Sequence, residues 1–163
     1  MDGTEPVRDE VRIRAVQDSD IEPFFAHQRE PEATEMAAFP ARDRVPFFTH
    51  WARIRAEPTS LLRTIVAGGE VAGNIVSWTQ SGHREVGYWL ARSHWGRGVA
   101  TKALALFLAE ETARPLVAHV AVHNVGSIRV LEKCGFQRAE ATEFSSATAD
   151  LGDIEEVPLV LRA

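Results

Sequence analysis

At 163 residues the chain has the length of one domain at roughly 150 residues each, with enough apolar content to build its own core. Hydrophobic residues make up 45% and charged residues 25%, a balance that fits poorly with a disordered chain, a collagen-like repeat or a disulfide scaffold. A formal charge of -5 argues against a surface built to neutralise nucleic-acid phosphates. The longest apolar run, residues 103–109, falls far short of the roughly 20 residues that a membrane-spanning helix needs.

Residues 1–10 are acidic, unlike a cationic export signal, and Cys134 has no second cysteine to pair with. The expected setting is the reducing cytoplasm, with neither nucleic acid nor membrane as partner. Residues 11–16 alternate apolar and charged side chains as a half-buried strand does, and Asp18 and Ser19 then offer helix caps. Residues 21–58 hold five of the eight prolines and five of the eight phenylalanines, a mix that predicts a two-helix flap over the sheet. Such a flap is either an irregular cover or a wall of a substrate cleft.

From Leu61 the pattern becomes short strands between turn residues: 61–67, then Gly68-Gly69, 71–80, then Ser81-Gly82, and 84–90. That reads as an antiparallel meander, in which a two-residue turn at Ser81-Gly82 sets Trp78 opposite Glu85. Residues 99–113 place Val99, Ala103 and Leu106 on one helical stripe, with Ala100, Leu104 and Phe107 beside it, before Pro115 blocks continuation. A strand over 116–122 leads into a helix over 124–134, capped by Asn124 and ended by Gly135, and residues 136–144 and 154–161 read as closing strands.

The segment from Tyr88 to Ala100 runs from a strand through a tight turn into the long helix. Gly96 and Gly98 let the backbone approach a ligand, and the first amides of a helix have no partner within it, so they can donate to phosphate oxygens. Between Tyr88 and Lys102 stand Arg92, Arg97 and Lys102 with no carboxylate, a stretch of +3 that favours an anion. A dinucleotide fingerprint would need glycine where Thr101 stands, and the phosphate-loop motif is absent.

These residues resemble the acyl-coenzyme A signature of the GCN5-related N-acetyltransferase (GNAT) family, (Gln/Arg)-x-x-Gly-x-(Gly/Ala), read here as Trp95-Gly96-Arg97-Gly98-Val99-Ala100. Trp95 in the Gln/Arg position, together with the flanks GYWL and HWGRGVATKAL, is similar to the branch of ribosomal-protein N-terminal acetyltransferases. A second segment, from Asn124 to Phe136, resembles that branch's helix of the form Asn-x-x-Ser followed by Glu-Lys-x-Gly-Phe. The resemblance spans roughly residues 61–144. It implies an α+β fold in one domain over residues 1–163: a mostly antiparallel sheet of six or seven strands, flanked by about four helices. A splayed parallel pair, the strands ending near Leu90 and Val122, would admit acyl-coenzyme A.

The implied reaction is direct transfer of an acetyl or other short acyl group to a primary amine, on a small molecule or a protein N-terminus. The alternative is a non-catalytic acyl-coenzyme A sensor of the same fold. Cofactor contacts fall to Leu90, Arg92, Trp95, Gly96, Arg97, Gly98, Val99, Ala100, Asn124 and Ser127. Glu85 is the expected general base, or else a solvent-facing strand residue; a buried aromatic neighbour would raise its pKa toward working pH. Asn124 is a helix cap, a pantetheine contact, or both. Ser127 is a donor to the leaving sulfur or a residue that solvates the first helical turn. Many family members carry a tyrosine acid where this chain has Leu131, which leaves Ser127, water or Tyr88 as proton donor.

No metal is expected, because His119 and His123 lie four apart on a strand, about 13 Å by strand rise. Cys134 is read as small apolar bulk before a helix end. Residues 140–156 carry six acidic residues and no basic ones, a solvated loop or a lure for a cationic amine. By family habit a homodimer is compatible, and carboxylates are expected from the flap at the open end of the wedge.

Overall fold

The computed structural model describes residues 10–37, 41–140 and 155–163. Seven strands form one sheet: β1 (Val11–Ala15), β2 (Leu61–Ala67), β3 (Glu70–Gln80), β4 (His83–Leu90), β5 (Leu116–Ala121), β6 (Gln137–Arg138) and β7 (Glu156–Leu161), in the spatial order β1-β2-β3-β4-β5-β7-β6. Among the described residues five α-helices accompany it, against the about four that the resemblance implies: α1 (Ile21–Gln28), α2 (Pro31–Ala37), α3 (Arg44–Ala56), α4 (Val99–Glu110) and α5 (Val125–Lys133). The result is an α+β sheet that is antiparallel except where β5, returning through α4, lies parallel to β4.

The turn at Ser81-Gly82 fixes the β3–β4 register and does set Trp78 opposite Glu85. The β4–β5 pairing is brief. Arg84 pairs with Leu116 and Glu85 with Val117, and there the described pairs end, because β4 continues along β3 to Leu90 while β5 follows β7. A parallel pair that lets go after two residues leaves a V-shaped gap whose vertex is at Glu85.

Alternation gives the sheet two different faces. On one, Ile75, Val86, Leu116, Ala118 and Leu159 meet Val99, Ala103, Leu104 and Phe107 of α4 and Ile128 and Leu131 of α5 in the main core. Leu104, Phe107, Leu116 and Leu159 are fully buried, and each such side chain contributes about 1.5–3 kcal/mol in transfer from water. Leu106, expected on the stripe, falls at its edge and is exposed. On the other face Ile21, Phe24 and Phe25 of α1 join Phe47 and Trp51 of α3 in an aromatic cluster, with the Phe24 and Trp51 rings 4.9 Å apart.

The flap consists of three helices instead of two. Three of its prolines stand at helix starts: Pro31 begins α2, while Pro23 and Pro46 stand in the first turns of α1 and α3, where a missing N–H costs nothing. Neither Asp18 nor Ser19 caps α1. Asp20 does the local work, accepting from the Gln17 amide at 2.8 Å, from both Arg14 guanidinium nitrogens and from the Thr64 hydroxyl. The long helix stops at Glu110 rather than continuing to 113, because Glu111 turns extended and its buried carboxylate takes hydrogen bonds from Ser77 and Arg84.

Of the closing strand expected over 136–144, Gln137 and Arg138 form β6, and residues 141–144 lie outside the described ones. β5 ends at Ala121, so His123 lies in the following turn, its Nε2 3.1 Å from the Glu35 carbonyl. Most of the acidic stretch over 140–156 lies outside the described residues. Among the described residues no helix is long and apolar enough to cross a membrane.

Candidate active site

A cleft of about 310 Å³ opens where β4 and β5 diverge. Tyr88, Trp89 and Leu90 of β4 form one side, Asn124, Gly126, Ser127 and Val130 another, and Trp95, Gly96 and Ala100 the mouth. The remaining wall is α2 of the flap, through Ala33, Met36 and Ala37, which agrees with the flap read as a wall of the cleft. These side chains are apolar, so the flap brings no carboxylate to this lining. A smaller cavity of about 140 Å³ on the flap face is lined by Gln28, Arg42, His50 and Asn74 among aromatic residues, again without a carboxylate.

At the mouth, Gly98 takes φ 75° and ψ 6° as the residue that precedes α4, and Gly96 takes φ 74°. These left-handed conformations, open to glycine at little cost, turn the chain so that the first amides of α4 face outward. Trp95 is held by its indole N–H, which donates to the Leu90 carbonyl at 3.0 Å. Val99 is buried in the core, so its backbone is what it can offer a ligand.

The positive stretch is partly neutralised by the fold. Glu32 takes a hydrogen bond from Arg92 Nε at 3.1 Å, Glu30 accepts from the Arg92 amide, and the Arg92 guanidinium lies over the Trp95 ring. Arg97 donates to the Ser93 carbonyl. Thus Leu90, Trp95, Gly96, Ala100, Asn124 and Ser127 line the cleft, whereas Arg92, Arg97, Gly98 and Val99 surround its mouth without lining it.

Asn124 caps α5, its side-chain oxygen accepting from the Ser127 amide at 3.2 Å. That leaves the Ser127 hydroxyl to meet the Tyr88 hydroxyl, with the two oxygens 2.7 Å apart. Burial pushes the Tyr88 phenol up to about 12, and the bond to Ser127 only partly offsets this, so the phenol stays protonated at neutral pH. Cys134 contacts the Thr101 carbonyl through Sγ at 3.7 Å, and burial raises its thiol, which suits packing better than nucleophilic attack.

Glu85 stands at the vertex of the V on the opposite face from Tyr88 and Ser127, and it is absent from the cleft lining. It is 4% exposed, so it is no solvent-facing strand residue. Burial raises its pKa, while attraction to His83 pulls the other way. His83 and His119 flank it, at 3.2 and 3.8 Å from its two oxygens. The sequence reading missed both neighbours. His83 was legible in principle, two residues before Glu85 on one strand face; His119 depended on the β4–β5 register.

Residues 10–137 match the family model described as the acetyltransferase (GNAT) domain. No curated protein sequence matches the chain. Solved structures that resemble it include Mycobacterium smegmatis RimJ in complex with CoA-disulfide, 23% identical with TM-score 0.74 over 96% of this chain and 83% of that one. RimL, a ribosomal α-N-protein acetyltransferase in complex with coenzyme A, is 17% identical with TM-score 0.73 over 95% and 94%. Vibrio cholerae spermidine N-acetyltransferase, in complex with CoA and spermine, is 14% identical with TM-score 0.72 over 92% and 95%. At these identities the likeness shows a shared fold.

Proposed function

The chain belongs to the GNAT acetyltransferase domain family, and on that premise we propose that it moves an acetyl or other short acyl group from acyl-coenzyme A to a primary amine, with a protein N-terminal α-amine as the acceptor class. The observation that carries this reading is the coincidence of two features. The Gly96–Gly98 turn and the first turn of α4 stand, through Gly96 and Ala100, at the cleft that opens where β4 and β5 part. Amides at a helix start suit a diphosphate, and a gap between strands suits an extended thiol arm.

The reacting groups divide between the two sheet faces. The amine nitrogen approaches Glu85 from the flap face, loses its proton to that carboxylate and attacks the thioester carbonyl carbon; the carbon–sulfur bond breaks, and the thiolate takes a proton from the Tyr88–Ser127 hydroxyl pair or from water. An α-amine near pKa 7.7–8.0 is already partly free at neutral pH, whereas a lysine-like amine near 10.4 demands a stronger base. A single buried carboxylate therefore fits the α-amine better. RimL, a ribosomal α-N-protein acetyltransferase, shares this fold and acts on that acceptor class.

The test measures thiol release from acetyl-coenzyme A with peptides bearing free N-termini, polyamines and amino sugars. Turnover with an α-amine is the expected result, and silence across the panel overturns the reading. Because the base must be ionised, the rate rises with pH through the Glu85 pKa, and burial moves that rise above the ordinary carboxylate range. Glu85→Gln should lower kcat/KM by roughly 100- to 10,000-fold and remove that limb. A non-catalytic sensor would instead gain thermal stability from coenzyme A, about 2.7 kcal/mol at 100 times its Kd, with no turnover to lose.

A further inference from the structure

His83 and Glu85 stand two residues apart on β4 and so share a face; His119 joins them from β5, two residues beyond the Val117 that pairs with Glu85. One donor atom from each of the three side chains lies within 4.8 Å of the others. The His83 Nε2 to Glu85 Oε2 distance is 3.2 Å, and the His119 Nε2 to Glu85 Oε1 distance is 3.8 Å. Their side chains are 14, 6 and 9% exposed for His83, Glu85 and His119.

His119 Nε2 is buried without a hydrogen bond, since Glu85 Oε1 at 3.8 Å lies beyond hydrogen-bond reach, whereas Glu85 Oε2 faces His83 Nε2 at 3.2 Å. A buried ring nitrogen in that condition calls for an occupant between the side chains. Two imidazoles and one carboxylate form the donor set of open zinc sites, where three protein ligands leave a fourth position to water. Tetrahedral bonds of about 2.0–2.1 Å set donors about 3.3–3.4 Å apart, between the two separations seen here. Glu156, diagonal to His119 on the same sheet face, adds negative potential at the cluster. His83 directly follows the Ser81-Gly82 turn at the sheet end, which gives an ion a short approach from solvent.

We propose that His83, Glu85 and His119 form a binding site for a zinc-class divalent cation at the vertex of the V, with the fourth position taken by water. The expectation of no metal weighed His119 only against His123, and the fold separates those two while giving His119 different partners. A cation held there would occupy the carboxylate, so metal binding inhibits acyl transfer; that consequence rests on the reading of Glu85 as proton acceptor, whereas the binding itself does not.

The test titrates the metal-stripped full chain, free of coenzyme A, with Co²⁺. The expected result is a visible ligand-field band of four-coordinate cobalt at one ion per chain, displaced by Zn²⁺. His83→Gln, Glu85→Gln and His119→Gln should each weaken binding at least about tenfold, while His123→Gln and Cys134→Ala leave it unchanged. Coenzyme A-induced thermal stabilisation confirms that each variant is folded. No one-to-one binding below roughly 100 μM overturns the proposal, as does a signal that follows His123 or Cys134 instead of the three ligands. Tight binding by those ligands with acyl transfer unimpaired upholds the site and refutes the catalytic reading of Glu85.

Discussion

Replacing Gly98 with alanine isolates the backbone contribution of the ligand-binding turn. A Cβ built at Gly98 meets nothing within 4 Å, so the substitution introduces no clash and its cost is the left-handed conformation itself, φ 75° and ψ 6°. For an ordinary L-residue that cost is about 1–2 kcal/mol. If the turn keeps its shape without ligand, the whole cost appears in folding stability, a fall of roughly 2–8 °C in Tm at this chain length. If the free turn relaxes and only the bound state needs the left-handed form, the cost appears in affinity, about 5- to 30-fold in the Kd for coenzyme A. Calorimetric titration and thermal unfolding on one sample measure both parts, and their sum should recover the 1–2 kcal/mol. Gly98→Asn is the internal control, because asparagine enters this region more readily and should lose less on both scales. An alanine variant with unchanged Tm and unchanged Kd refutes the reasoning, as does an asparagine variant that loses more than alanine.

Asp20 is 1% exposed, and burial pushes its carboxyl up, but hydrogen bonds from Arg14, the Gln17 amide and Thr64 hold it down at about 2, against an ordinary 3.8. The unfolded chain therefore takes up the proton first. That lowering is worth about 2 kcal/mol of stability, present above pH 4 and lost as pH falls from about 4 toward 2. Denaturant unfolding across that window should show the slope, and Asp20→Asn should flatten it. Tyr88→Phe and Ser127→Ala each break the 2.7 Å hydroxyl pair and should lower kcat with little change in KM for acetyl-coenzyme A. The double variant should be no worse than the poorer single one, and additive losses would show that the two hydroxyls act separately. In Gly73→Ala the new Cβ would lie 2.1 Å from the Trp89 carbonyl oxygen, forcing β3 from β4 behind the cleft. A loss of at least about 3 kcal/mol is expected, and a Tm within 2 °C of the parent would contradict that strand contact.

The parts of this fold that were legible in the sequence are those joined by short connections. Ser81-Gly82 leaves β3 and β4 one sensible register, so the Trp78–Glu85 pair could be read in advance. Asn124 before an apolar helix stripe announced its cap, and the glycines before Val99 announced the turn. Arg92 illustrates the opposite case. Its neighbours in sequence are uncharged, yet Glu30 and Glu32, some 60 residues earlier, reach it in space, so a net charge counted along the chain overstated the field at the cleft mouth.

The same distinction explains why His83 was legible beside Glu85 while His119 was not. Strand alternation sets Glu85 and His83 on one face, but β5 is separated from β4 by the whole of α4, and no turn chemistry spans that distance. Leu104 and Phe107 share one buried cluster with Ile75, Val86 and Leu116, so we expect the seating of α4 to fix that register. A shift of one residue would turn His119 to the core face and Ala118 toward Glu85, since side chains alternate along a strand. The packing of α4 therefore sets two things at once: where the strands part, and whether His119 joins His83 at the carboxylate. A cavity made under α4, as in Phe107→Ala, should then perturb the cobalt spectrum of the His83–Glu85–His119 cluster without touching a ligand, whereas Phe47→Ala in the aromatic cluster of the flap, at similar cost to stability, should not. Identical spectra in both variants would mean that the register is held by something other than the helix.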